Sequence, residues 1–312
     1  MINILITGGA GFIGSALAEK LLENPDNFIV IVDNLTTGDI RKIPVAKKGK
    51  IKFCKCDVNN YNDISGIMNS FNFEFVFHYA ALVGVQRTQQ NPISVLNDLK
   101  GIENILNLSK NSTVKRIFFS SSSEVYGEPT ELPQNELTTP LNSRIPYAVV
   151  KNAGEAYLRS YKKEFDLDYT IFRFFNTYGP KQSVDFVMSR FINLALQNQN
   201  ITVYGDGLQT RTFCYINDNV ETCVNAFYNN EVINDVVNIG GEKEITMIDL
   251  AEKIIKITNS KSQIVFLPAL KEGDMLRRYP DTTKMVKLLN REPLSIEDGI
   301  KKILQDTQFI IG

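Results

Sequence analysis

The chain opens with a short apolar run, Ile2–Thr7, that passes directly into Gly8-Gly9-Ala10-Gly11-Phe12-Ile13-Gly14 and then into a helical pattern over Gly11–Glu23. Strand, glycine turn and helix in that order are compatible with few folds. Gly8 permits a turn too tight for a side chain, Gly11 lets a ligand approach the backbone, and Gly14 lets the helix lie close on the strand. The first N–H groups of such a helix have no partner within it, so its amino terminus attracts an anion. A dinucleotide pyrophosphate suits this geometry, and Phe12 and Ile13 share the turn that would hold it.

The second apolar run, Phe28–Asp33, ends in a carboxylate followed by Asn34. A carboxylate there accepts hydrogen bonds from adenosine ribose hydroxyls and repels a ribose phosphate. The expected cofactor is therefore NAD rather than NADP, with Arg41 and Lys42 nearby as the opposing feature. Further strand-like runs at Ile51–Cys56, Phe75–Tyr79, Arg116–Ser122 and Tyr169–Phe175 are interleaved with helical patterns, notably Pro92–Ser109 and Tyr147–Phe165. This rhythm predicts an α/β fold, a Rossmann-type doubly wound parallel sheet covered by helices on both faces. Asp57 and Val58, closing the third strand, are expected at the adenine edge. Ala80 and Ala81, after the fourth, are small enough to let the dinucleotide approach.

After Asn176 the rhythm breaks into a glycine-punctuated segment with one helical pattern at Phe186–Gln197. Farther on, Thr246 precedes an amphipathic pattern whose apolar positions Met247, Leu250, Ala251, Ile254 and Ile255 share one face, with Thr246 as its cap. The expected organisation is an NAD-binding domain over 1–175, rejoined by about 213–240. A smaller mixed α/β substrate domain is expected over 176–212 and 241–312.

Composition narrows the partners. Of the 312 residues, 43% are hydrophobic and 22% charged, which is ordinary for a globular protein. A formal net charge of −1 supplies no electrostatic reason for nucleic acid or an anionic membrane as partner. No apolar run is long enough to span a bilayer, and the first residues lack the basic region of a signal peptide, so a cytoplasmic location is expected. Cys54, Cys56, Cys214 and Cys223 then read as reduced thiols. With His78 as the single histidine, no metal site is expected.

The reacting groups are expected in Tyr147-Ala-Val-Val-Lys151, whose ends lie one helical turn apart on one face. A tyrosine alone is a poor base at neutral pH, but an ammonium beside it favours the phenolate. Upstream, Ser120-Ser121-Ser122-Ser123-Glu124-Val125-Tyr126-Gly127 follows an apolar strand. It reads as hydroxyl and carboxylate groups held at a strand end rather than as a linker, with Ser120 and Ser121 merely finishing the strand.

TGGAGFIG, Asp33, HYAA, SSSSEVYG, YAVVK and FFNTYGP, in this order, resemble the extended short-chain dehydrogenase/reductases of the nucleotide-sugar epimerase and dehydratase family. The resemblance continues through residues 204–221 and 273–293. It implies that Tyr147 takes a proton from a sugar hydroxyl while hydride passes to NAD. It also implies that Lys151 supports the tyrosine and binds the nicotinamide ribose, and that Ser122 hydrogen-bonds the same sugar hydroxyl. Asn176, Arg211 and Arg278 match residues that grip the nucleotide diphosphate, and a homodimer formed through helices near 92–110 and 147–165 is implied as well.

Ser123 and Glu124 stand where dehydratases of the family carry Asp-Glu, which disfavours dehydration. Their setting is closest to that in UDP-glucuronic acid decarboxylases. Against this, the segment 80–92 lacks a tyrosine those enzymes carry and has Gln86-Arg87 instead. Arg87 is either a carboxylate ligand or a solvated side chain, and Asp98 occupies a position where the family usually has Asn. The expected outcome is decarboxylation of a UDP-glucuronic acid-like nucleotide sugar. The alternatives are 4-epimerisation, release of the 4-keto sugar, and a sensor that binds NAD without turnover.

Overall fold

A computed structural model of the chain describes residues 1–46, 49–269 and 277–310, apart from the side chains of Val85 and Gln86. Gly273–Leu276 of the motif stretch 273–293 therefore lie outside the described residues. Contacts group the chain into two compact units. The first comprises Met1–Val125, Pro146–Arg173 and Val220–Val237, and the second comprises Tyr126–Ile145, Phe174–Asn219 and Asn238–Gly312. Residues 126–145 thus group with the second unit, although their position in the chain placed them in the first.

The first unit is built on strands β1 (Ile2–Thr7), β2 (Asn27–Asp33), β3 (Ile51–Lys55), β4 (Phe75–His78), β5 (Arg116–Ser122) and β6 (Asp168–Phe174). With Asp235–Ile239 they form a seven-stranded sheet in which β3, β2, β1, β4, β5 and β6 lie side by side and Asp235–Ile239 closes the far edge. The pairs β1–β2, β2–β3, β1–β4 and β4–β5 are parallel. β2 and β4 read as nearly unbroken apolar runs because helices cover the sheet on both faces, and β5 is buried along its whole length although it carries Arg116 and three serines. One face packs Leu5, Val30, Val32, Ile102, Ile105, Ile117, Phe119, Val150 and Ile171 into a continuous core. On another, Phe77 stacks on Phe118 at 4.3 Å and Phe227 meets Phe118 edge-on at 5.7 Å. The chain order reverses between β1 and β4, and in such sheets the carboxy-terminal ends of the strands beside the reversal carry the ligand.

The helix expected over Pro92–Ser109 is broken into Pro92–Leu96 and Asp98–Ser109, and a further short helix, Val85–Gln90, precedes them. Asn97 between the two keeps helical dihedrals, φ −63° and ψ −21°. At this joint Asp98 reaches out of the helix to accept the Leu82 N–H at 2.7 Å, tying the helix start to the segment after β4.

In the second unit the expected capped helix forms over Met247–Thr258. The Thr246 hydroxyl accepts the Asp249 N–H at 3.1 Å, and Met247, Leu250, Ala251 and Ile254 are buried as the pattern predicts, while Ile255 at the edge of that face is half-buried. Asn238 knits distant segments of this unit together. It accepts from the Tyr126 hydroxyl at 2.7 Å, donates to the Gln134 carbonyl at 2.9 Å, and gives its backbone N–H to Glu136 at 2.9 Å. Short strands complete the unit, among them Thr210–Thr212 flanked by Glu244–Thr246 and Arg277–Arg278. Among the described residues, no helix is long and apolar enough to cross a membrane.

Candidate active site

At the end of β1, Gly8 has φ +68°, and a Cβ built there would lie 2.7 Å from the Ala80 nitrogen. The segment after β4 therefore crosses the glycine turn at a distance that only glycine permits. A Cβ at Gly14 would come within 2.4 Å of the Gly8 carbonyl oxygen, so the helix Phe12–Leu21 sits directly on the turn. Its N-cap, Gly11, supplies no side-chain cap, and the first turn carries no acidic residue. The amino terminus is thus left with uncapped donors and no acidic residue of its own, with Phe12 and Ile13 half-buried beside it.

Asp33 ends β2 nearly buried. Its Oδ2 accepts the Ala10 N–H at 3.0 Å and its Oδ1 the Leu35 N–H at 2.8 Å. Burial pushes its carboxyl pKa up, while these bonds and the Lys42 charge act in the opposite direction. A carboxylate has more acceptor sites than these two bonds use, so it can still take ribose hydroxyls. Asp39 binds the Arg41 guanidinium through its Nε and Nη2, which offsets the charge that would favour a ribose phosphate. Asn34 is exposed and accepts the Thr36 N–H at 2.9 Å, closing a local turn. Asp57 accepts the Asn59 N–H at 3.0 Å, and the carbonyl of buried Val58 accepts from Asn104 at 2.9 Å. Ala80 and Ala81 are half-buried, and the Ala80 N–H donates to the Thr7 hydroxyl at 3.1 Å. The uncapped helix start, the glycine cradle and the Asp33 carboxylate fit a dinucleotide.

The second set of groups is gathered by β5 and the helix Pro146–Phe165. Tyr147 is partly buried against the sheet core, near enough to Ser122 for that hydroxyl to act on its pKa. Burial raises the Tyr147 pKa; the charges of Glu124 and Asp98 add to that rise, and the Ser122 hydroxyl opposes it. Lys151 is buried, with Nζ 5.7 Å from the centre of the Tyr147 ring and 3.3 Å from the Ser120 hydroxyl. Burial pushes its pKa down to about 8, against a rise caused by Asp98. Ser123 is buried in the 3-10 turn that follows β5, and Glu124 is half-buried there.

Ser120 and Ser121 do more than finish the strand. Ser120 accepts from Lys151, and the Ser121 hydroxyl donates to Glu155 at 2.7 Å. Glu155 binds Arg173 of β6 through two bonds, from Nε at 2.8 Å and Nη2 at 2.7 Å, with both side chains essentially inaccessible to solvent. The sequence signal for this pair was a charge inside the apolar run of β6, and another one turn beyond Lys151 on the helix face that carries Tyr147.

The expected substrate groups divide between the units. In the second, Arg211 and Arg278 are register partners on neighbouring parallel strands, and each is only 7% exposed. Two like charges side by side at low exposure suit a ligand with more than one negative charge. Asn176, with φ +28°, donates its side-chain amide to the Thr212 carbonyl at 2.9 Å, one residue beyond Arg211. In the first unit, Arg87 is half-buried and donates from Nη1 to the Val83 carbonyl at 2.8 Å.

A doubly wound sheet with this glycine turn, followed in order by the serine-rich strand end and the Tyr-Lys helix, defines an extended short-chain dehydrogenase/reductase. Residues 4–240 match the model of the NAD dependent epimerase/dehydratase family, and the chain belongs to that family of enzymes. Its cofactor is accordingly NAD. The chain is 35% identical over 316 residues to the UDP-N-acetyl-alpha-D-glucosaminuronate decarboxylase of Bacillus cytotoxicus, covering 96% of each chain. It superposes on the UDP-glucose 4-epimerase of Thermotoga maritima, solved with UDP-glucose, with a TM-score of 0.91 and 30% identity, covering 97% of this chain and 98% of that one. It likewise superposes on the UDP-glucuronic acid 4-epimerase of Bacillus cereus, solved with UDP-glucuronic acid and NAD, with a TM-score of 0.88 and 29% identity over 99% of both chains.

Proposed function

We propose that the protein modifies a nucleotide sugar by NAD-dependent oxidation at C4, with Tyr147 as the base. The observation that carries this reading is the assembly of a phenol, a hydroxyl and an ammonium at one strand end. The Ser122 hydroxyl acts on Tyr147 to lower its pKa, and Lys151 lies one turn away on the same helix. In this reading Tyr147 takes the proton of the C4 hydroxyl, Ser122 holds that hydroxyl in line, and the Lys151 charge supports the phenolate. Bound NAD supplies the hydride acceptor for the same carbon. Arg211, Arg278 and Asn176 are assigned to the diphosphate and nucleoside of the substrate.

Within that class, decarboxylation of a UDP-glucuronic acid-like substrate is the favoured outcome. Once C4 is a ketone, the sugar acid is a β-keto acid that would lose carbon dioxide, take up a proton at C5 and regain at C4 the hydride that bound NAD had accepted. Ser123-Glu124 in place of Asp-Glu supports this, as does the similarity to a nucleotide-sugar decarboxylase. The similarity to two 4-epimerases supports a second outcome, in which the ketone is reduced from its other face.

The test is incubation with a panel of UDP-, GDP- and CDP-sugars followed by mass spectrometry. Loss of carbon dioxide identifies a decarboxylase, an isomer of unchanged mass a 4-epimerase, and loss of two hydrogens a released ketone. Tyr147→Phe is expected to fold normally and to lose about 10²–10⁴-fold in turnover. Full activity in that variant would refute the assignment of the base.

A further inference from the structure

Within the buried stretch Tyr169–Arg173 of β6 the one charged residue is Arg173, which is 1% exposed. On the helix Pro146–Phe165, Glu155 is fully buried one turn beyond Lys151, on the face that also carries Tyr147. The two side chains meet as a fork. Arg173 donates from Nε to Glu155 Oε1 at 2.8 Å and from Nη2 to Oε2 at 2.7 Å. Oε1 also accepts the Ser121 hydroxyl at 2.7 Å, and Oε2 accepts Arg159 Nη2 at 3.0 Å. One carboxylate thereby joins the helix to both β5 and β6.

Stability alone does not explain a charge pair at this depth. Desolvating two ions offsets most of their attraction, and apolar side chains of similar volume often serve as well or better. An apolar contact, however, lets a helix slide and turn at little cost. A guanidinium that bonds both carboxylate oxygens admits one orientation only. The neighbouring groups require that restriction. Lys151 reaches β5 through its 3.3 Å bond to Ser120, and the Ser122 hydroxyl acts on Tyr147. Ser121, which is tied to Glu155, lies between those two serines. A slide of about 1.5 Å, the rise of one helical residue, would break the bond from Lys151 to Ser120. We propose that Glu155 is a positioning residue, which with Arg173 and Ser121 fixes the register of the helix so that Lys151 and Tyr147 stand at Ser120 and Ser122. The inference rests on the reading of Tyr147 as the base.

The experiment separates register from stability. Glu155→Leu with Arg173→Met removes the fork and leaves no unpaired charge, so the double variant is expected to unfold near the wild-type denaturant midpoint and to bind NAD. Its NAD-bound crystal structure is expected to show the helix displaced along β5, with Lys151 Nζ beyond hydrogen-bond reach of Ser120. On whichever sugar nucleotide of the panel the wild type converts, kcat is expected to fall about 10²-fold with KM unchanged. The acid limb of the pH–rate profile is expected to move to higher pH, because the Ser122 hydroxyl then no longer lowers the Tyr147 pKa. Glu155→Asp keeps the charge but shortens the arm, and is expected to show the same displacement in smaller measure; it decides the matter if the double variant does not fold. Wild-type register or wild-type turnover in the stable variant overturns the proposal. Turnover by Tyr147→Phe would refute the base and not this inference, because the register is read from the structure without substrate.

Discussion

His78 closes β4 with its ring stacked on Phe119 at 6.0 Å and its Nδ1 2.9 Å from the Thr7 hydroxyl. That hydroxyl already accepts the N–H groups of Tyr79 and Ala80, so its own proton goes to Nδ1, and the imidazole is neutral with its proton on Nε2. Burial, followed by the Lys151 charge, lowers its pKa from 6.5 to about 3. The unfolded chain therefore takes up a proton that the folded chain refuses. The His78 contribution to stability is fully present above pH 6.5 and is lost as pH falls toward about 3. The loss amounts to about 1.4 kcal/mol for each pH unit. Urea-unfolding midpoints of the wild type are expected to fall more steeply across this window than those of His78→Gln, and equal slopes would clear His78 as the cause. At this scale Tyr147 and Lys151 were legible because one helical turn relates them. The contacts of Ser120 and Ser121 were not, because strand alternation says which way a hydroxyl points and nothing about what it meets.

Between elements, the Glu155–Arg173 pair clamps the helix that carries Tyr147 and Lys151 to β6, and Ser121 joins β5 to the same carboxylate. Burial pushes Glu155 upward, but the Arg173 bonds and charge together with Ser121 and Arg159 outweigh it, and its pKa lies below the ordinary carboxylate value. Glu155→Gln leaves the Arg173 charge buried without its counter-ion and is expected to cost about 3–5 kcal/mol in chemical denaturation. The double replacement Glu155→Leu with Arg173→Met is expected to recover most of that loss, because no unpaired charge then remains. A small effect from the single change would show that the pair does not clamp the elements. The sequence marked each residue as a charge in apolar surroundings but could not pair them, since they lie 18 positions apart on different elements. The broken helix at Asn97 was hidden for the same reason. The pattern over 92–109 is continuous, and the Leu82 N–H that engages Asp98 is supplied by another segment.

For the whole molecule, we propose a homodimer formed through the first unit. Ile93 is 71% exposed on Pro92–Leu96 and Val149 is 41% exposed on Pro146–Phe165, large apolar side chains on the two helices where the dimer is expected. Sedimentation velocity is expected to give twice the monomer mass, and Ile93→Glu with Val149→Glu to give monomers; a monomeric wild type would end the proposal. The strand–turn–helix start, the alternation of elements, the Asp33 terminus and the Tyr147–Lys151 spacing were determined by the sequence alone. Each depends on a period of two or 3.6 residues or on a glycine that the backbone requires, and such constraints act within one element. Only the tertiary structure decided that Asp98 meets the Leu82 N–H, that Glu155 meets Arg173, and that Arg211 and Arg278 share a register. It also assigned 126–145 to the second unit. Those relations join residues far apart in the chain, and the packing of whole elements, not any local rule, sets the distances between them.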